Sequence, residues 1–169
     1  MTTAPGQPVL YSIGHSDHQL ADLIALLGRH GITTLVDVRS QPYSRWTHQF
    51  NRETLAHDLT EAGIDYRSMG DALGGRPADP TLYDPGQELP DYGRVEQTDA
   101  YQLGIDQLLE LARTGRVAVM CSEGDHRHCH RHKLIAQTLL ERGARVFHIQ
   151  PDGRVVDGER IAQQLSLFD

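Results

Sequence analysis

Four times in this chain a segment with apolar residues at helical spacing stops at a glycine, and within three residues a short apolar run begins. Gly31 precedes 34–38, Gly63 precedes 64–67, Gly115 precedes 117–120 and Gly143 precedes 145–149, while Val9-Leu10-Tyr11-Ser12-Ile13 opens the series. Glycine ends helices well because it lacks the Cβ that penalises a left-handed residue. Apolar runs too short for helices read as buried strands. Strands alternating with helices imply a parallel sheet covered on both faces. The expected fold class is α/β, a single-domain three-layer sandwich with a mainly parallel sheet. A length of 169 residues suits one domain, here 1–163, followed by a tail at 164–169.

Local signals refine the elements. Ser16-Asp17-His18-Gln19 has the form of a capping box, so a helix is expected to start there and continue through Leu20, Leu23, Ile24 and Leu27. Asn51 is placed to cap a second helix, with Phe50 and Leu55 as a hydrophobic staple. Thr98 caps a third helix carrying Ile105, Leu108, Leu109 and Ala112, and a fourth runs through Leu134, Ile135, Thr138 and Leu139. Residues 68–97, with prolines at 77, 80, 85 and 90, read as a long loop that closes over a site, since structureless loops of this length are uncommon in compact domains. Beyond 151 a hairpin or turn, a small helix and a free tail are expected.

Composition narrows the function. The 38% apolar share, with no bilayer-length apolar run and no signal-peptide pattern, is expected of a cytoplasmic protein without a membrane partner. A formal charge of −7 argues against wholesale coating of nucleic acid, so any anion site must be local. Lys133 is the only lysine, and arginine suits bidentate phosphate or carboxylate contacts. Cys121 and Cys129 read as free thiols, metal ligands or redox groups.

Ligands of parallel sheets bind beyond the carboxyl ends of the strands, where the polar clusters fall: His15 and Ser16 after the first strand, Asp37, Arg39, Ser44 and Arg45 at the second, Cys121 and Glu123 after the fourth. The stretch Cys-Ser-Glu-Gly-Asp-His-Arg-His-Cys-His-Arg at 121–131 supports three readings. Cys121 is a nucleophile activated at a strand-to-helix junction, with Arg127 completing a C-x5-R spacing like that of cysteine phosphatases and rhodanese-like enzymes. Alternatively, Cys121 and Cys129 with His130, or with His126, His128 or His132, hold zinc or iron. In the third, Glu123 and His130 do acid/base or orienting work and Arg131 holds an anion.

Tyr-Ser-Ile-Gly-His-Ser at 11–16, Asp-Val-Arg-x-x-Pro-x-Ser at 37–44, Leu-Gly-Gly at 73–75 and Cys-Ser-Glu followed by Cys-His-Arg at 121–131 resemble the bacterial and archaeal family catalogued as domain of unknown function 488. The resemblance implies an α/β sandwich and a site assembled from those four motifs, and it implies no reaction.

The chain ends with Gln164, Leu165, Ser166, Leu167 and Phe168 before Asp169. This pentapeptide resembles the one by which bacterial polymerases and mismatch-repair proteins dock on the replication sliding clamp. Leucine and phenylalanine anchors worth roughly 1.5–3 kcal/mol each would give a tether of about micromolar strength or weaker; the alternative is an anchor folded back on the domain. The leading expectation is therefore a clamp-tethered enzyme of DNA metabolism, hydrolase- or glycosylase-like, acting on a damaged base, a nucleotide or nucleic acid. Cys121, Glu123, His15 and His130 would stand nearest the chemistry. Ser16, Asp37, Arg39, Ser44, Arg45 and Arg131 would hold phosphate, with Gly74, Gly75 and Arg76 in the closing loop. The alternatives are a cysteine-dependent transferase of sulfur or phosphoryl groups and a metal- or redox-sensing module.

Overall fold

The computed structural model describes residues 5–162. Its sheet has six strands in the order β3-β2-β4-β1-β5-β6. β1 (Val9–Gly14), β2 (Thr34–Asp37), β3 (Asp65–Ser68), β4 (Val117–Cys121) and β5 (Arg145–Ile149) are parallel, and β6 (Val155–Asp157) returns antiparallel along β5. Helices α1 (Leu20–Arg29) and α2 (Arg52–Glu61) follow β1 and β2. Between β3 and β4 lie α3 (Gly70–Leu73), α4 (Tyr92–Glu96) and α5 (Asp99–Thr114), and α6 (Gln137–Glu141) precedes β5. Among the described residues no helix is long and apolar enough to cross a membrane.

The sandwich is the expected one. On β4, Val117 and Val119 enter the cluster built with Tyr101, Ile105 and Leu108 of α5 and with Leu139 of α6. Ala118 and Met120 enter the opposite cluster, with Leu23 and Leu27 of α1 and Leu55 and Leu59 of α2. Period-two alternation on a strand buried throughout thus feeds two cores. Gly31, Gly63 and Gly143 take φ of +68°, +79° and +84°, the left-handed cap the sequence called for. Thr98 caps α5 by accepting the Tyr101 N–H.

Two local expectations fail, and the fourth helix forms with an unexpected first part. Ser16 does not cap α1; it sits at φ 49° and its N–H donates to the Ser122 carbonyl, because the backbone goes on pairing with the β4 loop beyond the strand, and the helix starts only at Leu20. Asn51 accepts the Ser44 N–H instead of capping its own helix, although Phe50 and Leu55 are both buried as a staple would have them. The segment Arg131–Ala136 is a π-helix, the Cys129 carbonyl accepting from both His132 and Lys133. Such wide turns recur at functional sites.

Residues 68–97 are more ordered than a plain loop. Leu73, Leu82 and Val95 are buried, and Gly104 of α5 lets α3 approach so closely that a Cβ there would lie 2.8 Å from Leu73. Residues 164–169, and with them the clamp reading of Gln164, Leu165, Ser166, Leu167 and Phe168, lie outside the described residues. Among the described residues no helix follows β6.

Gly14 ends β1 against the 121–124 loop, and an added Cβ would meet the Glu123 carbonyl at 1.8 Å. Gly14→Ala should therefore force the loop aside and cost about 1–3 kcal/mol, read as a lower urea midpoint with an unchanged slope. An unchanged midpoint would mean the loop yields freely.

Candidate functional site

The carboxyl ends of β1, β2 and β4 meet, Gly14 pairing with Cys121 and Asp37 with Met120. The Asp37 carboxylate takes a bidentate hold from Arg39 at 2.8 and 2.9 Å and a third hydrogen bond from Tyr66 Oη at 2.6 Å. Arg39 also donates to the Phe50 carbonyl, and its Nη1 reaches His15 Nε2 at 3.4 Å. His15 Nδ1 faces the Ser16 carbonyl at 2.8 Å, and its ring stacks on Phe50 with centroids 4.3 Å apart. A carbonyl only accepts, so Nδ1 carries the proton and Nε2 is the lone pair toward Arg39. The charge of Arg39 is thus matched by Asp37, and the pair orients His15.

The second group is built on sulfur. Arg131 is fully buried and has no carboxylate partner. Its guanidinium donates to Ser12 Oγ at 3.1 Å, to the carbonyls of Glu123 at 2.9 Å and Gly124 at 3.1 Å, and to Cys121 Sγ at 3.1 Å. A buried cation needs a compensating anion, and the only acid it touches is the thiol pair. Cys121 donates its S–H to the Glu123 carbonyl at 3.7 Å. The neighbouring Cys121 thiol, then His130 and Arg131, hold Cys129 well below the ordinary thiol range against the opposing effect of burial. The neighbouring Cys129 and burial push Cys121 far above it. Cys129 Sγ also lies 3.6 Å from His130 Nδ1 and 3.5 Å from the Arg131 N–H. His130 Nε2 donates to the Val38 carbonyl at 3.2 Å, which fixes the ring with its Nδ1 toward Cys129.

A cleft of about 470 Å³ opens over these groups. His15, Arg39, Cys121, Glu123, Cys129 and His130 lie in its wall, joined by Ser44 from the β2 loop and by Gly75, Arg76 and Tyr92 from residues 68–97. Gly75 touches the His130 ring; a Cβ there would come within 2.9 Å of it. Gly74 is held against Ser40, whose Oγ accepts the Arg76 N–H at 2.9 Å. The glycines therefore permit residues 70–76 to seat on the imidazole. The model of the domain of unknown function DUF488 matches residues 19–138. The chain belongs to this family. No curated protein and no solved structure matches it.

Three of the four DUF488 motifs fall inside the matched span, and the fourth, at 11–16, lies just ahead of it. Not every residue expected at the site faces the cleft. Arg131 lies behind the sulfurs rather than in the wall. Ser16 turns its Oγ to Asp17, and Ser44 Oγ shapes the 44–47 turn by accepting from Trp46 and Thr47. Arg45 is exposed. Arg127, the cation of the C-x5-R spacing, is 73% exposed and paired with Asp125 at 2.8 Å, so no anion cradle of that kind forms. The Glu123 carboxylate accepts the Asp125 N–H. Among the described residues, Cys121, Cys129 and His130 do not form a group spaced for a metal ion; the group that does is His126, His132 and His148.

Sequence reasoning missed Ser12, Phe50 as a ring partner, Tyr66 and His148. Ser12 and His148 are polar residues inside apolar strands and pair in register across β1 and β5. That is the one signal that could have found them.

Burial lowers His15 to about 4, and burial with the nearby His126 and His132 holds His148 lower still. An unfolded imidazole titrates near 6.5, so between about pH 6.5 and 4 the unfolded chain binds protons that the folded chain refuses. This stability is complete above that window and is lost as pH falls through it. Thermal unfolding should show Tm declining from about pH 7 to about pH 4.5, with a shallower decline in His15→Asn. A flat profile would mean these rings protonate in place.

Proposed function

We propose that the chain is a cysteine-dependent sulfur-transfer enzyme acting on a small anionic substrate, with Cys129 as nucleophile and Cys121 as the second thiol. The observation that carries this reading is the buried, carboxylate-free Arg131 set against two buried thiols, its guanidinium on Cys121 Sγ and its backbone N–H on Cys129 Sγ. A thiolate that replaces a carboxylate as counterion is ionised at neutral pH, the condition for nucleophilic attack. Arg76 and Lys133 in the wall of the cleft draw an anion toward it.

In the step proposed, the Cys129 thiolate attacks the outer sulfur of a persulfide or thiosulfonate-type donor. The donor's sulfur–sulfur bond breaks, the donor leaves with the electron pair, and the outer sulfur stays on Cys129 as a persulfide. A second thiolate then takes that sulfur and returns Cys129 to its starting state, so no oxidant is consumed. His130, fixed by the Val38 carbonyl, sets its Nδ1 3.6 Å from that sulfur. Phosphoryl transfer fits less well, because Arg127 faces Asp125 and Glu123 lines the cleft.

Incubation with thiosulfate or a persulfide, followed by intact-protein mass spectrometry, should show one added sulfur atom on Cys129. Cys129→Ser should abolish it, and Cys121→Ser should keep the site of labelling while slowing its formation. Labelling of Cys121 alone, or none, would reject the assignment.

A second reading, an enzyme of DNA metabolism acting on an extruded or damaged base and tethered to the sliding clamp, has one observation in its favour. Trp46 and Tyr43 are 85% and 56% exposed beside Arg45, and Tyr43 lines the cleft. Bases stack on such rings for roughly 1–3 kcal/mol each. Trp46 is the chain's single tryptophan, so its fluorescence reports binding directly. On this reading single-stranded oligonucleotide quenches it, Trp46→Ala weakens binding about tenfold in a titration with labelled oligonucleotide, and a purified clamp binds the intact chain but not one lacking 164–169. Absence of both signals would remove it.

A further inference from the structure

A second cluster stands outside the cleft. His126 comes from the short 3-10 turn His126–His128, His132 from the π-helix and His148 from β5. One ring nitrogen from each lies within 4.8 Å of the others. His126 and His148 stack at 4.1 Å, and His132 stands edge-on to both at 5.2 Å. His148 is fully buried, and neither its Nε2 nor His132 Nδ1 has a hydrogen-bond partner.

Buried polar atoms in folded proteins are almost always partnered. Two imidazole nitrogens without partners thus fall in one cluster whose three rings each offer a nitrogen within 4.8 Å of the others. Protonation is a poor remedy, since each ring would set a charge beside the others and beside the Arg131 cation. A divalent metal ion satisfies all three at once.

We infer that His126, His132 and His148 form a three-histidine site for a divalent transition metal of the zinc class. Three neutral imidazoles, without thiolate, suit zinc, cobalt or copper and disfavour magnesium or calcium. Zinc–nitrogen bonds of 2.0–2.1 Å set the ligating nitrogens about 3.3 Å apart, within reach of small side-chain rotations. Metal-bound histidines give their other nitrogen to an outer partner. Ser12 Oγ is that partner for His148, 2.5 Å from its Nδ1, and the Gln150 amide lies 3.1 Å from His126 Nδ1. An amide turned with its oxygen to the ring serves His126 in the same way.

The cluster is reached from the surface. A second cleft of about 620 Å³ is walled by His126 and His132, with Asp125, Asp157 and Glu159 beside them. Asp125 and Asp157 there are paired with Arg127 and Arg145, and the fourth position of a three-histidine metal is left to water. The sequence groups His126 and His132 with the cysteines; in the structure they turn to His148. The site stands independently of the sulfur-transfer reading.

Cobalt(II) titration of the intact, untagged protein, followed by absorbance, tests it. Expected are one equivalent bound, ligand-field bands in the visible, and no near-ultraviolet thiolate-to-cobalt band. His126→Gln and His132→Gln should each weaken binding by more than about tenfold. A Cys121→Ser/Cys129→Ser double variant should bind as the parent does. Both histidine variants leave the fully buried His148 in place, circular dichroism of the metal-free proteins checks their folding, and either one that folds decides. No binding by the intact protein, binding indifferent to the histidine variants, or a thiolate band lost in Cys129→Ser would overturn the assignment.

Discussion

The guanidinium of Arg131 organises this molecule. It touches no carboxylate, yet it ties together β1 through Ser12, the end of β4 through Cys121, and the next loop through the carbonyls of Glu123 and Gly124. A buried cation with one partner removed costs about 3–5 kcal/mol, so each contact is held by a strong constraint. The constraint runs the other way too. The neutral groups carry no charge to set against it, and the two sulfurs are the acidic groups within its reach. The π-helix belongs to the same arrangement, since it begins at Arg131 and the Cys129 carbonyl binds its first turn.

The fold was legible because its signals are local and redundant. A glycine stop and an apolar run each carry little, but four such pairs leave little beyond a parallel sheet between two helical layers. Thr98 was legible for the same reason, its hydroxyl having a donor three residues on. Ser16 looked equally good and failed. The competing interaction is non-local: His15 and Ser16 donate to the carbonyls of Cys121 and Ser122, more than a hundred residues away, and that pairing outweighs a capping box.

The candidate site was legible as a neighbourhood and less so as a set of roles. Strand order brought the Gly-His-Ser, Asp-Val-Arg and Cys-Ser-Glu segments together as expected, with Leu-Gly-Gly against His130. Roles depend on what each side chain finds there. Arg39 finds Asp37, Arg127 finds Asp125, and Arg131 finds only sulfur and neutral oxygen. All three are arginines beside a strand end, and nothing in their spacing separates them. Ser12 and His148 escaped because single polar residues in apolar strands acquire meaning only once register sets them side by side.

Ser12 stands where the sulfur group and the imidazole cluster meet, with Arg131 Nε on one side of its oxygen and His148 Nδ1 on the other. A hydroxyl has one hydrogen and two lone pairs, and Arg131 holds one lone pair permanently. If His148 donates, the serine hydrogen is left to find an acceptor elsewhere; if His148 accepts, that hydrogen is spoken for and the ring's other nitrogen carries the proton. The two clefts, which open at different places on the surface, are therefore not chemically separate rooms. One rotor lies in the wall between them, and whatever fixes the tautomer on one side is felt as a change in hydrogen bonding on the other.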